Sequence, residues 1–193
     1  MILTIGIEPD LKLVERLTFL QEDLGKILGH RGADSRWVRP EHVNLPLLYI
    51  GQQEEGALPE ITKVMSEVSG DVSPFELSIS GIAAYPSSEC PRLIEAGVAD
   101  GSKKVLDLHE KLQVAFARAN FPSDRRVYHP SILLGRTVTD RDRVDLTDAI
   151  EAIGGLNFGK SEIFEMVLFA SDLLESRTVH RVLSRCAFGK GMH

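Results

Sequence analysis

"EHVNLPLLYIG" runs from Glu41 to Gly51, and "YHPSILLGR" from Tyr128 to Arg136. Each places a histidine, one residue, then a small polar residue at the head of an apolar run: His42-Val43-Asn44-Leu45 and His129-Pro130-Ser131-Ile132. Side chains at i and i+2 share one face of a strand. On a strand, His42 would therefore face the same way as Asn44, and His129 the same way as Ser131. The repeat points to two related halves, each supplying one strand to a common site.

The surrounding sequence supports such a frame. Upstream, "ILTIGIE" reads as a buried strand closed by Pro9. Leu13, Leu17, Leu20, Leu24 and Leu28 then recur at helical spacing, with Gly29 as a stop signal. "HRGADS" reads as a loop, and "VNLPLLYIG" as a strand central to its sheet with Pro46 inside it. Because proline lacks an N–H, a bulge or a missing ladder bond is expected there. A helix through Ile61, Val64, Met65 and Val68 follows, then the alternating strand "FELSISGIAAYP" and the strand "PRLIEAGVA". Residues 102–120 form a helix, "VYHPSILLGRTV" a strand and 145–153 a short helix. "KSEIFEMVLFASDL" and "TVHRVLSRCAF" read as one strand each. The order β-α-β-α-β-β-α-β-α-β-β predicts an α+β chain, taken as one bilobal domain over residues 1–193.

With 193 residues and 43% hydrophobic content, the chain is long enough for one sizeable core. A net charge of -6 argues against a wholesale polyanion-binding domain. Cys90 and Cys186 lack metal-ligand spacing and read as reduced thiols. The start, "MILTIGIEPD", has no basic leader region, and no apolar run reaches the roughly 20 residues a membrane span needs. A cytoplasmic protein is expected, with no membrane partner and no bound metal.

Several segments, in order and spacing, resemble one family. "RWVRPEHVNLPLLYIG" is similar to the signature R-W-V-x-P-E-x-L-H-L-T-L-x-F-L-G of the RNA 2′,3′-cyclic phosphodiesterases, long called 2′-5′ RNA ligases, of the two-histidine phosphoesterase superfamily. "FELSISGIAAYPSSECPRLIEAGV" resembles F-x-L-x-L-x-G-x-G-x-F-P followed by P-R-V-L-W-x-G-V. "RRVYHPSILLGR" resembles R-x-F-x-P-H-L-T-L-G-R, and "ASDLLESRTVHRVL" resembles S-x-L-x-x-x-G-x-x-Y-x-x-L. The resemblance implies a two-lobed fold, with two antiparallel sheets facing a central cleft and helices outside. It implies hydrolysis of RNA 2′,3′-cyclic phosphates without metal or cofactor, and a nucleotide or RNA 3′ end as the partner. A monomer is expected.

The motif positions themselves have changed. The family's histidines fall on Asn44 and Ser131, its threonines on Pro46 and Leu133, and the tyrosine of the last segment on His180. In the family reaction one histidine takes a proton from water, the other returns one to the leaving oxygen, and the threonines hold phosphate oxygens. Asn44 does not titrate near neutrality and Ser131 is a poor base unless another base activates it. Pro46 and Leu133 offer no donor. His42 and His129 are shifted candidates for the acid and base, displaced by roughly 6–7 Å along each strand. Arg136 and Arg126 are candidate phosphate contacts, with Arg36 and Arg39 nearby, and Tyr128, Trp37 and Tyr85 are candidate stacking surfaces. His109 reads as a boundary residue of its helix. Three functions are therefore expected to compete. The first is a diverged relative without its catalytic pair that keeps a nucleotide- or RNA-binding cleft. The second is an enzyme using His42 and His129, and the third a non-enzymatic interaction protein with a vestigial cleft.

Overall fold

The chain is described from a computed structural model covering residues 1–122, 127–138, 144–153, 155–174 and 177–189. β1 (Ile2–Ile7) leads into α1 (Leu11–His30), whose first turn is closed by Asp10: its side chain accepts from the Leu13 N–H at 2.8 Å. The leucines at helical spacing are all buried. β2 (Asp34–Trp37), a 3₁₀ turn (Pro40–His42) and β3 (Leu45–Gln52) follow, then α2 (Leu58–Gly70). β4 (Phe75–Tyr85), β5 (Leu93–Val98), α3 (Ser102–Arg118), β6 (Ser131–Val138) and α4 (Thr147–Ile153) come next. β7 (Asn157–Ile163), β8 (Glu165–Leu174) and β9 (Arg177–Ala187) complete the fold.

The strands form two antiparallel sheets, ordered β3-β1-β8-β9 and β2-β6-β5-β4-β7. α2 and α3 cover the outer face of the first sheet, and α1 and α4 that of the second. Along β1, Leu3, Ile5 and Ile7 are fully buried beneath helices, while Ile2 and Thr4 lie on the opposite, helix-free face. The helix-free faces line the cleft between the lobes.

Four expectations change. The run read as one strand from Lys160 is two, β7 and β8, which belong to different sheets, and the chain crosses over at the exposed Phe164. The loop after α1 yields a short strand, β2, which pairs with β6. The lobes are also not consecutive halves of the chain. α1 follows a strand of the first sheet but packs on the second, and α3 does the reverse. Each lobe's core is thus sealed by a helix from the other lobe's run of sequence.

β3 is an edge strand, not a central one. Its pairing with β1 shifts between Leu48 and Pro46, so that Ile5 faces Leu48 and Gly6 faces Pro46, with Leu47 bulged out. An edge is where a residue without an N–H is tolerated, and the bulge absorbs the lost ladder position.

Candidate cleft site

Residues of the first motif occupy the mouth of the first sheet. His42 ends the 3₁₀ turn, and β3 begins only at Leu45. The two-residue strand period therefore does not fix where His42 points relative to Asn44. Asn44 is half-buried, and its Nδ2 donates to the His42 carbonyl at 2.9 Å. Its Oδ1 lies over Gly6, where an added Cβ would come within 3.2 Å. Pro46 is exposed on the edge strand.

The second motif opens with His129, which is exposed and also precedes its strand, since β6 starts at Ser131. Ser131 donates its hydroxyl to Glu95 Oε2 on the neighbouring β5 at 3.0 Å. Glu95 and Leu133 are register partners and so share a face with Ser131. A bulge at Leu134 resets the alternation, leaving Arg136 on this same face opposite Leu93. Arg136 is also the direct partner of Arg36 on β2, and both are exposed. Neither forms an ion pair among the described residues. Tyr85 stands in the same row across β5, 48% exposed. Trp37 packs between Gly25 and Gly135 instead of facing the cleft. Arg126 lies outside the described residues.

Tyr128 is not a free stacking surface. Its hydroxyl donates to the Pro46 carbonyl at 2.7 Å, and its ring stacks on His109, with centres 4.0 Å apart and planes 15° apart. His109 is 2.6 Å through Nδ1 from the Leu47 carbonyl. A carbonyl only accepts, so Nδ1 carries the proton. The two side chains thus cover the bulged carbonyls of the open edge of β3 and tie the approach to β6 onto the first sheet. Burial pushes the Tyr128 phenol well above its ordinary pKa. His109 therefore does more than bound its helix, a role its position beside an apolar stripe did not reveal. Tyr128→Phe is expected to lower stability by about 1 kcal/mol through the lost hydrogen bond. A urea midpoint equal to that of the unmodified protein would show that water satisfies the Pro46 carbonyl as well.

The structure brings His42 together with His180. The His42 and His180 ring centres are 4.5 Å apart with planes inclined at 53°. His180 Nδ1 is 2.8 Å from the Ser171 hydroxyl across the β8–β9 ladder. Burial first, and then the neighbouring His42, hold His180 below the usual histidine range. In-line transfer at phosphorus needs the phosphoryl group between acid and base, each at hydrogen-bond distance from an oxygen. Two rings in contact leave no such space.

Residues 13–166 match the profile of the 2'-5' RNA ligase superfamily. The RNA 2',3'-cyclic phosphodiesterase of Aquifex aeolicus is 24% identical over 155 residues, covering 80% of this chain and 82% of the relative. That of Methanothermobacter thermautotrophicus is 27% identical over 148 residues, covering 77% and 79%. TT0787 of Thermus thermophilus overlays with a TM-score of 0.79 at 21% identity, covering 100% of both chains. LigT of E. coli complexed with 3'-AMP overlays at 0.70 with 20% identity, covering 97% of each. The two overlays establish the shared fold, two antiparallel sheets with four helices. With the profile matched over most of its length, the chain belongs to the 2'-5' RNA ligase superfamily.

Proposed function

We propose that this protein binds nucleotides or phosphorylated RNA ends in its cleft and does not hydrolyse 2′,3′-cyclic phosphates by the superfamily route. The state of the four motif positions carries this reading. Asn44 and Ser131 cannot exchange protons near neutrality, and both are engaged within the protein, with the His42 carbonyl and with Glu95. Pro46 and Leu133 bring no side-chain donor where the family has threonines. Glu95 further sets a carboxylate beside the second position, which opposes a bound anion there.

Binding is supported elsewhere on the second sheet. Like charges directly opposite on neighbouring strands are unfavourable. The register pair Arg36–Arg136 therefore suits an anion that both guanidiniums can share. Tyr85, in the same row, offers an exposed ring to a base. The solved structures of LigT with 3'-AMP, ATP and phosphate show that this fold accommodates such ligands in a relative.

Titration with adenosine 3′-monophosphate and with a short RNA ending in a 2′,3′-cyclic phosphate, followed by calorimetry and chromatography, tests both halves. Saturable binding is expected, weakened at least about tenfold by Arg136→Ala on loss of a charge-assisted contact of roughly 1.5–3 kcal/mol, with the cyclic phosphate recovered intact. Absence of binding at millimolar ligand would remove the binding half. Opening of the cyclic phosphate above the level of a mock preparation would remove the other.

A further inference from the structure

We propose that His42 and His180 form a binding site for a divalent first-row transition-metal ion, with Ser171 as the residue that positions His180. The spacing carries the proposal. An imidazole nitrogen sits about 2.0–2.1 Å from such an ion, which puts the ring centre about 3.2 Å away, so two ligands at a right angle have ring centres about 4.5 Å apart and two at a tetrahedral angle about 5.2 Å. The observed separation is 4.5 Å, with the planes inclined rather than stacked flat.

The surroundings fit the same ligand class. His180 Nδ1 is held by the Ser171 hydroxyl at 2.8 Å. A hydrogen bond on one ring nitrogen fixes the ring's orientation and leaves the other to act as ligand, the arrangement in which metal-bound histidines are commonly held. The nearby Asn44 amide is committed to the His42 carbonyl. No carboxylate contacts either ring among the described residues, and no group of three or more His, Cys, Asp or Glu gathers there. Two imidazoles without carboxylates select Ni²⁺, Cu²⁺ or Zn²⁺ over Mg²⁺ and Ca²⁺. The remaining coordination positions fall to solvent, or to an oxygen of whatever occupies the cleft. The ion would bring positive charge to the first sheet, whose motif strand no longer offers a phosphate donor. Neither histidine occupies a superfamily histidine position: His42 precedes Asn44 by two residues, and by resemblance His180 stands where the family has a tyrosine.

The test is direct binding of Ni²⁺ alone to the intact protein, by calorimetry and by paramagnetic broadening of the histidine ring signals in NMR. One ion per chain is expected, with the His42 and His180 signals broadened first. His42→Ala and His180→Ala should each weaken binding by at least about tenfold, and Ser171→Ala by about tenfold, the usual cost of losing an outer partner. His30→Ala, with its ring on an exposed helix end, should change nothing. His180→Tyr, which puts back the family's side-chain type, supplies a second variant should the alanine fold poorly. Zn²⁺ should displace Ni²⁺, and Mg²⁺ should not. Saturation with the His42 and His180 signals unmoved, affinity unchanged in the His42→Ala and His180→Tyr variants, or no uptake at millimolar Ni²⁺ would each overturn the site.

Discussion

Asn44→His with Ser131→His, combined with Pro46→Thr and Leu133→Thr, is expected to raise cyclic-phosphate hydrolysis from background to a measurable rate. Each missing acid or base typically costs about 10²–10⁴ in rate, so the fourfold variant should exceed the unmodified protein by at least about 10². Position 44 stands over Gly6, which presents no side chain to a larger ring. At position 131, Glu95 already hydrogen-bonds the side chain and would hold an imidazole in one orientation, favouring its protonated form. Pro46→Thr returns both a hydroxyl and a backbone N–H to the bulged edge strand. The double histidine variant alone should gain part of the rate, and the threonines the rest. Nucleoside 2′,3′-cyclic phosphate assayed by product chromatography is the readout. The informative control is His42→Ala with His129→Ala in the otherwise unmodified protein. If the unmodified protein already turns over substrate and this pair abolishes it, the shifted histidines are the active site and the proposed loss of chemistry is wrong.

Gly135→Ala is expected to destabilise the fold described above. Trp37, the one tryptophan in the chain, is wedged between two glycines on different elements. A Cβ at Gly135 would drive into its six-membered ring, coming within 2.9 Å of Cζ3 and 3.0 Å of the Arg36 carbonyl. The ring cannot retreat, because Gly25 of α1 already approaches Nε1 to the point where a Cβ there would lie at 3.1 Å. Overpacking of this kind costs about 1–3 kcal/mol, and the absence of an escape route places the change near the top of that range. For a chain of this size about 2–3 kcal/mol lowers the melting temperature by about 4–12 °C. Thermal unfolding followed by Trp37 fluorescence measures it. Trp37→Phe should recover part of the loss in the double variant, since the two residues share one contact and their effects should not add. Strictly additive losses would mean that the ring is not what Gly135 accommodates.

The sequence by itself determined the helices and the identity of the two motif strands. Leu13 through Leu28 repeat at a period that a helix alone satisfies, and Ile61, Val64, Met65 and Val68 do the same on α2. It also supplied the basis of the proposed loss of chemistry, because by resemblance Asn44 and Ser131 stand where the family has histidines, and Pro46 and Leu133 where it has threonines. The expected bulge at Pro46 followed from the absent N–H. The tertiary structure decided everything that depends on register between distant segments. The run from Lys160 read as one strand and gave no sign of a break, yet Phe164 turns the chain from one sheet to the other. Ser131 meets Glu95 only because β5 and β6 pair where they do, and Arg136 meets Arg36 only through the β2–β6 ladder. His42 and His180 are far apart in the sequence and meet although β3 and β9 stand at opposite edges of the first sheet. A two-residue period states which side of a strand a residue takes. It does not state which strand lies next to it, since that choice is made by burial summed over both sheets and all four helices.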